Sequence, residues 1–466
     1  MKSVNSILGR GALPFLGAAL CLLVPSAVDA QAFKTNTEGL TAGHFVIYPS
    51  MSLEFTQDGN VSYRGQDTPG ESITRSGIYV VRPRLLVDLP IGTGRVRWVY
   101  SPQYRAYTNS TFQQTKRFSH FFDFEAARNG PVLSIRAADH LVRGTIELQE
   151  VDRGGEVVYG TVPFTTHAPE LEFTVKAGAR NGLSLLPRYS TVRFEEEGAA
   201  VFFSYRRKEL EARFSRALSE PTSLFVYYAF DRTDQQREQV IFGDVSLDSR
   251  TFGVGLRRTL NREIVTSITA GYKSVLFQGG SDSDFSGPVL DARATINLDD
   301  ATVLDLSVGR QAYQSFFVNN NYYIDSEARI RLMHQFGHSV YFDASLAYVN
   351  NAYADPLDIS VTAQTPADLD CNSTTVDPNG NTICVGDGRI DDFEPFAPSV
   401  GRRRRDRVYY LLAGAGWQPV RTLRVFIGYN GQRRSSNIDE AGSGGVFDPF
   451  DYTVNRLVFR IEAGWL

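Results

Sequence analysis

The chain of 466 residues carries 48 Lys and Arg against 52 Asp and Glu, a formal net charge of −4, so nothing in its charge balance calls for a nucleic-acid partner. Mean hydropathy is −0.22, aromatics make up 12% and Met numbers only 3; beyond the N-terminus no apolar run approaches the roughly 18 residues of a spanning helix. Membrane helices are thereby excluded, and a chain of many short alternating strands in one architecture is expected.

In chain order, Lys2 and Arg10 precede the apolar run "ALPFLGAALCLLVP" and the small residues "SAVDA". Residues 1–30 therefore read as a secretory signal peptide cleaved near Ala30. Cys21 belongs to its apolar core, because Leu20 is too bulky for a lipoprotein processing site. Residues 31–42 form a short periplasmic segment, too short for a folded plug. From residue 43 onward apolar residues recur at every second position, the signature of strands with one greasy and one wet face. Strands are predicted at 43–55, 78–89, 95–107, 117–128, 131–141, 167–179, 183–194, 200–218 and 222–231. Nine more follow at 250–260, 264–275, 288–298, 302–313, 323–336, 339–350, 406–417, 422–433 and 453–466, giving eighteen, an even number.

Tight and long connections alternate between these strands. The tight ones are 90–94, Asn129-Gly130, Asn181-Gly182, 219–221, Asn261-Arg262, Asp299-Asp300, Gly337-His338 and 418–421. The two Asn-Gly pairs suggest type I′ turns. Longer polar segments, such as 56–77, 142–166, 232–249 and 351–405, lie between them, and only 195–199 is short on that side. Short turns on one rim and long loops on the other predict a transmembrane antiparallel up-and-down β-barrel of the outer membrane, all-β, spanning 43–466, with short periplasmic turns and long extracellular loops. The three tryptophans, Trp98, Trp417 and Trp465, fall near the tight-turn rim on the apolar faces of their strands, as a membrane-interface girdle requires. The last strand, "YTVNRLVFRIEAGWL", then has to close on the first, since an open edge in lipid leaves backbone groups unsatisfied. Its aromatic-rich end is also similar to the signal read by outer-membrane assembly machinery, with Trp465 one residue early.

Several segments resemble the β-barrel porin 2 family. "SMSLEFTQDGNVSYR" is similar to its opening strand and Asp-Asn-Val corner, through Asp58, Asn60 and Val61 with Gly59 intruding. "LSEPTSLFVYYAF" resembles its repeated hairpin through Ser219, Thr222 and Leu224, and "RRSSNID" with "YTVNRLVFRI" its closing hairpin through Ser436, Asn437, Tyr452, Asn455 and Arg456. The resemblance implies an outer-membrane barrel associated with export of surface polysaccharide, with periplasmic export components as partners.

An eighteen-stranded barrel leaves an aqueous lumen. The wet faces carry many charges, and Arg82, Arg84, Arg95, Arg97, Arg105, Arg329 and Arg331 are the candidate pore-lining residues. They act either as ties pairing across strands or as a constriction favouring anions. In 351–405, Cys371 and Cys384 are expected to form a disulfide in the oxidising periplasm. The acidic run "DPNGNTICVGDGRIDDFE" departs from a calcium loop at Thr382 and Gly388, so no metal and no cofactor is expected. Arg402 to Arg405 are expected to face lipopolysaccharide. Six scattered His show no ligand spacing, and catalysis is not expected. Two function classes follow: a conduit, as polysaccharide exit channel or general diffusion porin, or a non-conducting barrel acting through its loops.

Overall fold

The computed structural model describes residues 39–61, 73–109, 118–145, 163–194, 204–236, 246–260, 263–278, 284–314, 322–356, 373–376, 382–385, 402–438, 440–442, 445–447 and 451–465. Their strands are β1 (Leu40–Ala42), β2 (Phe45–Asp58), β3 (Ser76–Ile91), β4 (Gly94–Tyr107), β5 (Phe118–Asn129), β6 (Leu133–Thr145), β7 (Pro163–His167), β8 (Glu170–Ala177) and β9 (Asn181–Phe194). They continue as β10 (Ser204–Ser219), β11 (Thr222–Gln236), β12 (Ser246–Leu260), β13 (Ile264–Gln278), β14 (Phe285–Asn297), β15 (Thr302–Gln314), β16 (Tyr322–Phe336) and β17 (Val340–Pro356). The remainder are β18 (Ser373–Val376), β19 (Thr382–Val385), β20 (Arg403–Val420), β21 (Leu423–Ser435), β22 (Glu440–Gly442), β23 (Gly445–Phe447) and β24 (Tyr452–Gly464).

β7 and β8 are one stave interrupted at Ala168-Pro169, where proline offers no N–H to the ladder. Both halves pair with β6 and with β9. Every stave pairs antiparallel with its sequence neighbours, and β2 pairs with both β3 and β24, which closes the wall into eighteen staves. Two of the ion pairs at the seam are Glu54 with Arg460 at 2.8 Å and Asp58 with Arg456 at 2.6 Å. β1 folds back on β2, so the sheet begins at Leu40, three residues before the predicted start of the barrel.

All eighteen predicted strands are present, but many are longer on the long-loop side. β11 runs to Gln236 and β12 starts at Ser246, where the sequence pattern ended at 231 and resumed at 250. A membrane strand needs only about 9–11 residues, and the pairing continues above the apolar band, where alternation no longer marks it. The segment 351–405 shortens accordingly, since β17 reaches Pro356 and β20 begins at Arg403.

Neither Asn-Gly pair forms the predicted two-residue turn. Asn181 and Gly182 already pair with Ala177 and Lys176, and the turn is carried by Gly178 at φ 74°, a left-handed conformation that suits glycine. Asn129 likewise pairs with Ser134, leaving 130–132 as the turn. β18 and β19 form a small hairpin in which Cys384 pairs with Thr374. Cys371 lies outside the described residues, as do the connections 195–199 and Asn261-Arg262 and the acidic run apart from Thr382–Val385.

Candidate functional site

The two faces of the wall invert the ordinary distribution of a soluble protein. Outward positions are apolar and bare: Leu183, Phe252, Ile427 and Leu457 are each more than half exposed. Inward positions are charged and covered: Glu211 is 2% exposed, Arg460 7% and Asp406 0%. Only a solvent of hydrocarbon outside the wall makes that arrangement favourable. The protein is an outer-membrane β-barrel.

Trp98 faces outward between Val87 and Phe124, its ring 6.1 Å from that of Phe124. Trp417 also faces outward, paired with Val340 and Val425. Trp465 follows the last strand, its N–H donating to the Pro49 carbonyl at 3.0 Å.

The seven arginines singled out in the sequence lie on the inner face, and most are engaged there. Arg95 grips Asp88 with two nitrogens, at 2.5 Å each. Arg82 donates to the Gln103 side chain at 2.9 Å and stands over the Phe121 ring at 5.7 Å. Arg97 sits in register with Asp88 on one side and Glu125 on the other, and Arg105 opposite Val80. Arg84 shares that inner face of β3. Across the barrel, Arg331 makes a fork with Asp343 at 2.8 and 2.6 Å, and Arg329 pairs with Glu327 at 3.1 Å. Forked pairs of this kind fix geometry as well as charge.

The densest network lies between these two groups. Arg188 reaches Glu170 at 3.1 Å, Glu209 at 2.5 Å and Glu211 at 3.4 Å; Arg213 also holds Glu211, and Arg207 holds Glu209 and Asp231, both at 3.2 Å. All of these groups except Arg213 line a chamber of about 540 Å³ that extends to Lys273, Asp291, Arg293, Asp305, Asp325, Glu327, Arg329 and Arg331. Eight carboxylates meet six cations on this lining. On β3, β4 and β5, by contrast, Arg82, Arg84, Arg95, Arg97 and Arg105 face only Asp88, Asp123 and Glu125. In a ring of eighteen staves β4 stands nine staves from β14; on β13–β15 Lys273 and Arg293 balance Asp291 and Asp305, and the carboxylate excess lies on β8–β11, where Glu170, Glu209, Glu211 and Asp231 outnumber Arg188, Arg207 and Arg213.

The chamber's roof was not among the features expected from the sequence. Pairing of β14 with β15 stops at Leu290 with Arg310, although β15 continues to Gln314. Beyond that point the β15–β16 hairpin parts from β14 and turns inward, while β16 stays paired with β17 as far as Tyr323 with Tyr353. Lys273, on the inner face of β13, donates to the Ala312 carbonyl at 3.0 Å. Tyr322 stacks on Phe277 at 5.8 Å and meets Phe285 edge-on at 5.4 Å. Leu247, Val275, Phe277, Phe285 and Ala312 form a buried apolar cluster there. On the hairpin's other side Tyr313, Tyr323 and Tyr353 pack together, and Arg404 lies 4.5 Å over Tyr353. The signal available in the sequence was the apolar residues Leu247, Val275, Phe277 and Phe285 at positions whose alternation points them into a wet lumen. Such residues need a cover.

No protein-family model and no curated protein matches the sequence. Among solved structures, the outer membrane protein opdK from Pseudomonas aeruginosa is 10% identical, covering 90% of this chain and 99% of its own, at a TM-score of 0.44. OccK2 (OpdF) from Pseudomonas aeruginosa in complex with glucuronate is 9% identical, with 90% and 98% covered, at 0.44. A BenF-like porin from Pseudomonas fluorescens Pf-5 is 8% identical, with 90% and 98% covered, at 0.44.

Proposed function

We propose that the barrel is a passive outer-membrane channel for small hydrophilic solutes. The observation that carries this reading is the combination of a charged, ion-paired inner wall with the inward-turned β15–β16 hairpin. Eighteen staves enclose an aqueous lumen, and the hairpin narrows it on the long-loop side. A narrowed passage of that kind suits a small solute better than the polysaccharide that the family resemblance implied. The cationic excess of β3–β5 and the anionic excess of β8–β11 give a passing polar solute a field within the lumen. Water molecules orient along it, and solutes bearing charge or strong dipoles are admitted with modest preference.

Swelling of liposomes containing the purified barrel tests the reading. Mono- and disaccharides should enter, and a long polysaccharide should not. Entry of the polymer at a comparable rate would restore the export reading, and no entry of any solute would leave a structural barrel. Replacing Arg82, Arg84, Arg95 and Arg97 by Gln should shift the reversal potential toward cations. An unchanged potential in a conducting variant would make these residues wall ties alone.

A further inference from the structure

We infer that the outer face of β20 and β21, above the apolar band, is a binding site for the phosphate groups of lipopolysaccharide. Alternation along β20 divides its basic run between two roles. Arg404 points inward, where it and Arg434 hold the buried Asp406; Arg404 Nε lies 3.1 and 3.0 Å from the two carboxylate oxygens. Arg403, Arg405 and Arg407 point outward and are exposed, and Arg433 joins them from β21, where it pairs with Tyr409. Successive outward residues on a strand stand about 7 Å apart, so the four guanidiniums form a compact patch rather than a scattered fringe.

Three observations point to an anionic lipid headgroup as the occupant. The outward positions around the patch on β17, β20 and β21 are Asn350, Ala352, Tyr409, Gly431 and Ser435, none of them a carboxylate; Asp451, just before β24, stands near Arg433 at the edge of the patch and accepts the Ser436 N–H at 2.7 Å, so the cations still outnumber the described carboxylates there. Directly beneath lie Tyr348 and Tyr409, with rings 5.2 Å apart, followed by the exposed Leu411. Aromatic side chains of this kind sit at headgroup level, which places the arginines where lipid phosphates lie. The backbone carrying them is also fixed from the side. Asn437 accepts the Arg405 N–H at 2.6 Å and donates to the Arg403 carbonyl at 3.0 Å. Guanidinium groups carried on an anchored backbone suit phosphate oxygens, which they can grip with two nitrogens at once.

The test is native mass spectrometry of the full barrel in detergent, titrated with bisphosphorylated lipid A and with its dephosphorylated counterpart. The wild type should retain the phosphorylated lipid and release the other. Changing Arg403, Arg405, Arg407 and Arg433 together to Gln should weaken retention at least about tenfold, while the same four changed to Lys should keep most of it. Heat-modifiable migration on gels reports folding of each variant. Should the fourfold Gln variant fail to fold, Arg405→Gln with Arg407→Gln serves instead, with a smaller loss expected. Equal retention of the two lipids by the wild type, or undiminished retention by a folded Gln variant, would overturn the inference.

Discussion

At Asp343 two guanidinium nitrogens of Arg331, Nε and Nη2, converge, and the two side chains are 9% and 11% exposed. Removing one partner of so covered a pair leaves an uncompensated charge, and Asp343→Ala should cost about 3 kcal/mol in urea unfolding from lipid vesicles. Replacing both residues by Leu should cost less than about 1 kcal/mol, because an apolar pair demands no counter-charge. The inner glycines carry a different constraint. A methyl added at Gly416 would run into the ring of Tyr341, which lies flat over that stretch of β20. Gly416→Val should therefore cost about 1–3 kcal/mol by the same unfolding measurement. In the turn after β14, the Thr302 hydroxyl and the Ala301 N–H, the latter at 2.7 Å, hold the Asp299 carboxyl below its ordinary value. A depressed carboxyl stabilises the fold above its unfolded value of 3.8, and that contribution disappears as pH falls through the folded value. Asp299→Asn should thus be less stable than the wild type at neutral pH, and the two should converge in acid. Which residues face inward was legible from alternation alone. Their partners were not, because a residue's neighbour on the next strand depends on register, and alternation is unchanged by a slip of two.

The β15–β16 hairpin behaves differently from the other staves. Its outward face begins as lipid-facing wall at Leu304, Leu306 and Val308, with Val308 48% exposed, and ends packed against the inner faces of β12, β13 and β14. Periodicity reads both parts as one strand, since the backbone alternates in the same way before and after the bend. Tyr322 holds the far end through Phe277 and Phe285, so Tyr322→Ser should loosen the hairpin. The expected outcome is faster uptake of disaccharides in the liposome assay, with heat-modifiable migration unchanged. Unaltered uptake would show that the hairpin does not limit passage. The turns illustrate the opposite kind of error: Asn-Gly is a strong local signal, yet at 181–182 the nearby Gly178 takes the left-handed position and the pair is drawn into the ladder.

For the molecule as a whole, the number of staves and the two-rim asymmetry were readable because the bilayer imposes both: backbone groups in lipid must pair around a closed ring, and apolar residues must alternate with polar ones. Lumen geometry is not imposed in that way. It follows from where one hairpin parts from β14 and from how the ion pairs divide among the staves. The claim on which the functional account stands is that water and ions cross this lumen despite the inward hairpin. Single-channel recording of the purified barrel in a planar bilayer tests it most directly. Discrete, reproducible conductance steps, larger in Tyr322→Ser than in the wild type, are the predicted result. Electrically silent bilayers containing folded, heat-modifiable protein, for both the wild type and Tyr322→Ser, would contradict it.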